Sequence, residues 1–350
     1  MALKDYARKQ AQEKEPITVG IPRAFLYYRN GTLWREYFRT LGVHLVISQP
    51  TNRKIEEDGM KAAIDEMCLA MKIYLGHVKS LIGKCDYILI PRVVDFGIRR
   101  VYCTSFEGLP DIARNVFRNE NIQILSYNVN VQGKKDEESA MILMARELGF
   151  SAREGKNAYR AGRKAADREF ASKVKAAEAL YRRNGLRVAV GAHSYIAEDD
   201  YIGKPVIDML KKMNVIPIRA DFVDRKKARE RANEISPTLK WDFSREIAGG
   251  IAMHMKQIDG IILLSAYPCA LDSMVDDMIV RKAEGTRIPI LQLTLDAQTG
   301  TAGVETRLES FIDILRMNRG ASGQELSREK EEELIEAMDA GKTQGEGAEA

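Results

Sequence analysis

Short apolar runs alternate with amphipathic stretches along most of this chain. Ile17 to Ile21 reads as a strand, Gly31 to Leu41 as a helix with one apolar face, and His44 to Ile47 as the next strand. A helix from about Met71 to Ile82 leads into the run Tyr87-Ile88-Leu89-Ile90, and Ile122 to Leu125 supplies a further strand. The same grammar returns later, with strands at Leu186 to Val190, Val215 to Ile218, Ile261 to Leu264 and Ile288 to Leu293, and a helix at Lys204 to Met213. Continuous β-branched runs of this kind belong to strands covered on both faces, as in parallel sheets flanked by helices. The expected fold is α/β, with two Rossmann-like open parallel-sheet domains over residues 17–135 and 185–317.

Between them, residues 136–184 are rich in Ala, Glu, Lys and Arg and read as a helical connector, two helices separated near Gly149 to Gly155. Val304 to Met317 forms an amphipathic closing helix able to pack on either domain. Residues 1–16 are a polar N-terminal segment with no apolar core of a signal peptide. From 318 to 350 the apolar pattern fades into a tail expected to be disordered.

Composition narrows the class. A chain of 350 residues suits two domains, and 45% hydrophobic with 30% charged residues is ordinary globular usage. The 54 basic and 50 acidic residues leave a net charge of +4, too small to imply nucleic acid. Basic runs at Arg99-Arg100, Arg182-Arg183 and Arg225-Lys226-Lys227 read as solvated surface. No apolar stretch approaches the roughly 18 residues of a membrane span. Four cysteines in a chain of this size do not suggest a disulfide scaffold. A cytoplasmic protein is expected, with no membrane partner.

The cysteines carry the candidate chemistry. Cys68 lies just ahead of the helix at 71, Cys103 in the long loop after Ile90-Pro91-Arg92, and Cys269 between the strand ending at Leu264 and a helix from Asp272. Ligands of parallel α/β sheets bind at the carboxyl ends of strands. Helix N-termini lower thiol pKa values, and the thiolate is the form that binds metal. The separations, 35 residues (103 − 68) and 166 residues (269 − 103), match no zinc ribbon or ferredoxin run. The three either assemble in space where the domains face each other or are ordinary buried thiols. Cys85, just before a buried-looking strand, reads as a small core residue.

Five ordered blocks add a resemblance. They are Gly20-Ile21-Pro22-Arg23-Ala24; Asp65-Glu66-Met67-Cys68 with Gly76-His77-Val78; Ile90-Pro91-Arg92-Val93 leading to Tyr102-Cys103; Pro268-Cys269 with Asp272-Ser273; and Leu295 to Gly300 continuing through Gly303 to Phe311. Over residues 17 to 317 the chain resembles the acyl-CoA dehydratase activase-related proteins, also labelled CoA protein activase. These are distant relatives of 2-hydroxyacyl-CoA dehydratase subunits and double-cubane cluster proteins. The resemblance implies an oxygen-sensitive [4Fe–4S] cluster held by Cys68, Cys103 and Cys269, in a protein of anaerobic metabolism. It also implies low-potential electrons supplied by an iron–sulfur ATPase of the actin/Hsp70 fold. This chain shows no phosphate loop and no actin-like phosphate motif, so that ATPase is expected on a separate chain and no nucleotide site in this one. A homo- or hetero-dimer fits the same picture. Two departures touch the ligand segments: Leu69 follows Cys68 where relatives have proline, and Ser265-Ala266-Tyr267-Pro268 replaces a glycine-rich turn. Three thiolates leave the fourth iron open, or filled by water, substrate or a non-cysteine ligand, and are too few for a double cubane.

Other residues read two ways. His77 either meets a cluster sulfide or relays a proton, or is a satisfied packing histidine. His193, at the end of the strand from Leu186, either lines the cleft or is structural, whereas His44 and His254 look structural. Asp296, Gln298, Gly300, Gly303, Thr306 and Arg307 either hold an anion such as a CoA phosphate or form a loop whose glycines serve backbone geometry. Arg23 and Arg92 stand where a guanidinium reaches a cluster or a carboxylate, Ser273 follows Cys269 closely, and the roles of Trp241 and Arg245 are open. Three functions follow: a dehydratase- or reductase-like subunit, a non-catalytic electron-transfer or assembly partner, and a cluster-free α/β ligand-binding protein.

Overall fold

The computed structural model describes residues 17–300 and 302–320. Strands β1 (Thr18–Ile21), β2 (His44–Ile47), β3 (Tyr87–Leu89) and β5 (Ile124–Leu125) form a first sheet in the order β2-β1-β3-β5. Strands β7 (Leu186–Gly191), β8 (Val215–Arg219), β9 (Gly260–Ala266) and β10 (Ile290–Leu295) form a second in the order β10-β9-β7-β8. Every pairing in both sheets is parallel. In each, the first strand of the unit lies between neighbours reached in opposite directions, which opens a crevice at the strands' carboxyl ends. A two-stranded parallel ladder, β4 (Arg92–Asp95) with β6 (Asn128–Asn130), extends the first half toward the second.

All seven residues of β9 are buried, which is why this strand reads as a continuous apolar run. Its alternate side chains serve different cores. Ile262 and Leu264 join a large core that also holds Val19, Leu75, Leu125 and Leu308, and so runs through both halves of the molecule. Ile261 and Leu263 point the other way, into a second core with Ile218, Ile251 and Ile279.

In the first half, helix α1 (Tyr27–Leu41) buries Leu33, Trp34, Tyr37, Phe38 and Leu41 and stops at Gly42, whose φ of 72° suits a left-handed cap. Helices α2 (Arg53–Ala62) and α3 (Leu69–Leu81) cross at backbone contact. A Cβ at Gly76 would stand 1.9 Å from the Ile55 carbonyl oxygen, and one at Gly59 would stand 2.0 Å from that of Lys72. Only glycine fits there, and the crossing fixes where α3 begins. Helix α4 (Thr104–Val116) follows β4.

The connector is helical, as its composition suggests. It holds α5 (Glu137–Glu147) and α6 (Ala152–Tyr181), the latter opened by a Ser151–Glu154 capping box. Gly155 lies inside α6 rather than in the break, its Cα side facing the Ala145 methyl. In the second half stand α7 (Ser194–Ala197), α8 (Lys204–Lys212), α9 (Arg225–Arg231), α10 (Asp242–His254) and α11 (Ala270–Ala283). The closing helix, α12 at 302–320, packs Phe311 and Leu315 over Gly260 at the start of β9. It runs three residues past the point where a disordered tail is expected to begin; residues 1–16 and 321–350 lie outside the described residues. Among the described residues no helix is long and apolar enough to cross a membrane.

A candidate cofactor site lined by three cysteines

Cys68, Cys103 and Cys269 each occupy the residue that immediately precedes a helix, α3, α4 and α11 respectively. Cys103 is thus not in a long loop: β4 and α4 form on either side of it. Such a residue takes extended dihedrals while its carbonyl starts the helix. Cys68 has φ −64° and ψ 152°, Cys103 φ −60° and ψ 141°. Backbone hydrogen bonds stitch the three segments together. Leu69 N donates to Tyr267 O (2.8 Å), which joins the Cys68 turn to the one carrying Cys269, and Tyr267 N donates to Leu295 O (2.8 Å). Val101 N donates to Lys240 O (3.1 Å) and Asp242 N to Val101 O (2.9 Å), which joins the Cys103 segment to the second half.

All three cysteines line one apolar cavity, with Phe106, His193, Tyr195, Trp241 and Phe243 in its wall. None is in a disulfide, and each is partly buried. Burial pushes the Cys68 and Cys269 thiols up, with the neighbouring Asp272 and cysteine charges adding to it. This corrects the lowering expected from helix N-termini. Donation from the Met71 and Asp272 amides does not make up for lost solvent.

Among the described residues no three His, Cys, Asp or Glu side chains gather closely enough for a single metal ion. A mononuclear zinc site, which draws its ligands within about 2.3 Å of one point, does not fit. A polynuclear cluster spreads its thiolates round a larger body, and soft thiolate donors are the set it uses. The cavity fits that group by donor chemistry.

His193 is only 6% exposed and immediately precedes α7. Its Nε2 lies 2.8 Å from Asp272 Oδ1, its Nδ1 is buried with no partner, and its ring stacks on Tyr195 at 4.9 Å. Burial works to lower its pKa, but the Asp272 charge and hydrogen bond outweigh that and raise it. Burial and the Asp272 charge push Asp276 up to about 7.

His77 lies elsewhere. Completely buried two turns into α3, it meets Ser48 Oγ at Nδ1 (2.8 Å) and Thr51 Oγ1 at Nε2 (2.9 Å), and burial lowers its pKa to about 3. Thr51 in turn donates to Asp199, which also accepts from Tyr28 (2.9 Å) and the Tyr201 and Ile202 amides. The packing reading of His77 is the one its surroundings support: it anchors a buried polar network between the halves.

The remaining candidates do not join the cavity. Arg23 pairs with Asp200 (2.8 Å) and lines a separate cleft. Arg92 holds Glu107 O and Asp111, pinning α4. Ser273 donates to Cys269 O (3.0 Å). Asp296 closes a turn with the Gln298 amide and Thr299, Thr306 Oγ1 donates to Ala302 O, and Arg307 donates to Gln292 O. The bonds these side chains make are local to residues 292–307, and none of them enters the cysteine cavity. Gly300 and Gly303 meet nothing within 4 Å, so close packing does not require them either. Cys85 sits before β3, at the opposite end of that strand from the cavity, against Gly20 and Leu81.

Sequence reasoning missed an arginine layer beside the cavity. Arg29 pairs bidentately with Glu246 (2.6 and 2.9 Å). Arg229 joins Asp242 (2.7 Å) and Glu246, and Arg100 lies 3.3 Å from Asp242. Arg225 stands 3.5 Å from Glu246 and 3.5 Å over the Phe170 ring. Four guanidiniums thus share two carboxylates whose side chains are at most 1% exposed. They wall a cleft of about 530 Å³, and Arg29, stacked on Phe243, separates it from the cysteine cavity. Arg245 and Trp241 also find roles: Arg245 caps the Leu239 and Arg229 carbonyls, and Trp241 walls the cysteine cavity.

A family described as "CoA enzyme activase uncharacterised domain (DUF2229)" matches residues 18–223, more than half of the chain. The protein belongs to this CoA enzyme activase domain family. The match agrees with the resemblance drawn from the sequence blocks, and it includes Cys68, Cys103 and His193 but ends before Cys269. No curated protein matches this family member. Solved structures similar to it include "the SBP FpvC from Pseudomonas aeruginosa in complex with Mn2+", 12% identical over 88% of this chain and 100% of that one, with a TM-score of 0.28. Another is ZnuA, 10% identical over 86% and 99%, with a TM-score of 0.24. Scores this low carry no argument.

Proposed function

We propose that this protein holds one [4Fe–4S] cluster through Cys68, Cys103 and Cys269 and takes part in low-potential electron transfer with an ATP-dependent activase on a separate chain. The observation that supports the reading is that cysteines as much as 201 residues apart (269 − 68) line one cavity, each at the start of a helix. When bound, such a group supplies one-electron chemistry at low potential. The residues of the chain do the rest. The first turns of α3, α4 and α11 aim backbone N–H groups at a centre whose ligands are anionic. Phe106, Tyr195 and Phe243 exclude water, and burial raises the Tyr195 pKa, so its hydroxyl stays neutral. Ile64, Ile98, Tyr267 and Met274 are exposed apolar side chains, each within five residues of one of the cysteines, and offer a partner an apolar rim. A dehydratase- or reductase-like subunit is one form of this role.

A second reading, a cluster-free ligand-binding protein, draws on the arginine-lined cleft. Strictly anaerobic reconstitution separates the two. The cluster reading expects a brown protein with iron and sulfide in equal amounts, lost in Cys103→Ala and kept in Cys85→Ala. A colourless, iron-free protein after reconstitution would end it.

A further inference from the structure

We propose that His193 supplies the fourth ligand of this centre through Nδ1, with Asp272 holding the ring. The inference rests on the cluster reading and extends it to the position three cysteines leave vacant.

Four observations carry it. His193 lines the same cavity as all three cysteines. Its backbone, φ −61° and ψ 144°, repeats that of Cys103 and Cys68, so the chain presents it, like those two thiols, from an extended residue immediately before a helix. Its Nδ1 is buried without a hydrogen-bond partner, a deficit that a ligand would relieve. Its other nitrogen is paired with a carboxylate, the arrangement that orients metal-bound imidazoles. That carboxylate belongs to Asp272, whose amide donates to Cys269 Sγ (3.5 Å), so one turn of α11 supports both ligands. The other histidines set the contrast. His77 has both nitrogens satisfied, and His254, whose Nδ1 also lacks a partner, stacks on Tyr181 away from the cavity.

A histidine in this place leaves no iron open to substrate. The centre would then pass electrons onward, which favours the relay role over direct substrate chemistry.

Pulsed electron paramagnetic resonance on the reduced, cluster-loaded full chain provides the test, with isotopically labelled histidine nitrogen. The expected result is a strong nitrogen hyperfine coupling that shifts with the label. It should disappear in His193→Ala with iron content retained, and return when imidazole is added. His193→Cys should keep the cluster and lower its reduction potential, because an anionic thiolate replaces a neutral ring. Full iron loading of the wild type without a histidine coupling overturns the assignment while leaving the three-cysteine site standing. A coupling that persists in His193→Ala also overturns it. A chain that takes up no iron removes both proposals. Should His193→Ala fail to fold, the labelled wild type and His193→Cys decide the matter between them.

Discussion

Acidification should destabilise the fold partly through His77, and a His77→Gln variant should lack that part. His77 is completely buried, both ring nitrogens meet hydroxyls, and burial lowers its pKa from 6.5 to about 3. The unfolded chain binds the proton as pH falls through 6.5, whereas the folded chain resists it until about 3. The unfolded state therefore holds more protons across that window, and stability falls with pH. At 1.36 kcal/mol per unit, the two units down to about pH 4.5 amount to about 2.7 kcal/mol. Urea unfolding of both proteins at neutral pH and near pH 4.5 gives the double difference. Titrating groups common to both, the buried Asp199 among them, cancel in it. The wild type should lose about 2.7 kcal/mol more than the variant. Parallel stability–pH curves would show that His77 is protonated in the fold, and the account of its network would be wrong.

Other outcomes follow from features already described. Gly76→Ala should cost about 3 kcal/mol in a urea melt, because its methyl meets backbone rather than a movable side chain, whereas Gly300→Ala should stay within about 0.5 kcal/mol. Glu246→Gln leaves Arg29, Arg225 and Arg229 short of a buried charge and should destabilise by about 3–5 kcal/mol, read by guanidinium unfolding. In the metal-free protein, Cys68 and Cys269 should alkylate more slowly at neutral pH than a free thiol and speed up as pH rises, followed by mass spectrometry; rates matching glutathione would contradict their raised pKa values.

The strands of the two four-stranded sheets were legible because their chemistry is local, whereas the short β4 and β6 were missed. Every residue of β9 is buried, and a strand buried on both faces is written mostly in apolar letters, here with one serine that bonds Thr294. The cysteine segments were legible in a weaker sense: motif blocks singled them out, but no spacing rule says that Cys68 and Cys269 share a cavity. Elements with little local signal were missed. Helix α2 carries one buried apolar side chain, Ile55, and packs through Gly59, so periodicity has almost nothing to find. Arg225-Lys226-Lys227 and Arg99-Arg100 read as solvated surface. Yet Arg225 rests on Phe170 near Glu246, and Arg100 reaches Asp242 across 142 positions of sequence. A guanidinium's partner, unlike its charge, is not written beside it. In the loop from Asp296 a side chain that the sequence offers to an anion bonds within its own turn, which sequence alone does not settle.

The order in which the cavity wall leaves the ribosome has a consequence of its own. Cys103 precedes Cys269 by 166 residues (269 − 103), which takes roughly 10–30 s to synthesise at ordinary rates of translation. When that interval begins, strands β1, β2 and β3 of the first sheet are already present, but the turn that docks Tyr267 on Leu69 is not. Cys68 and Cys103 spend it without the wall that Trp241, Phe243 and Cys269 later supply. On the cluster reading proposed above, the site is complete only once the last of its three thiols has left the ribosome, so loading belongs to the finished chain rather than to the nascent one.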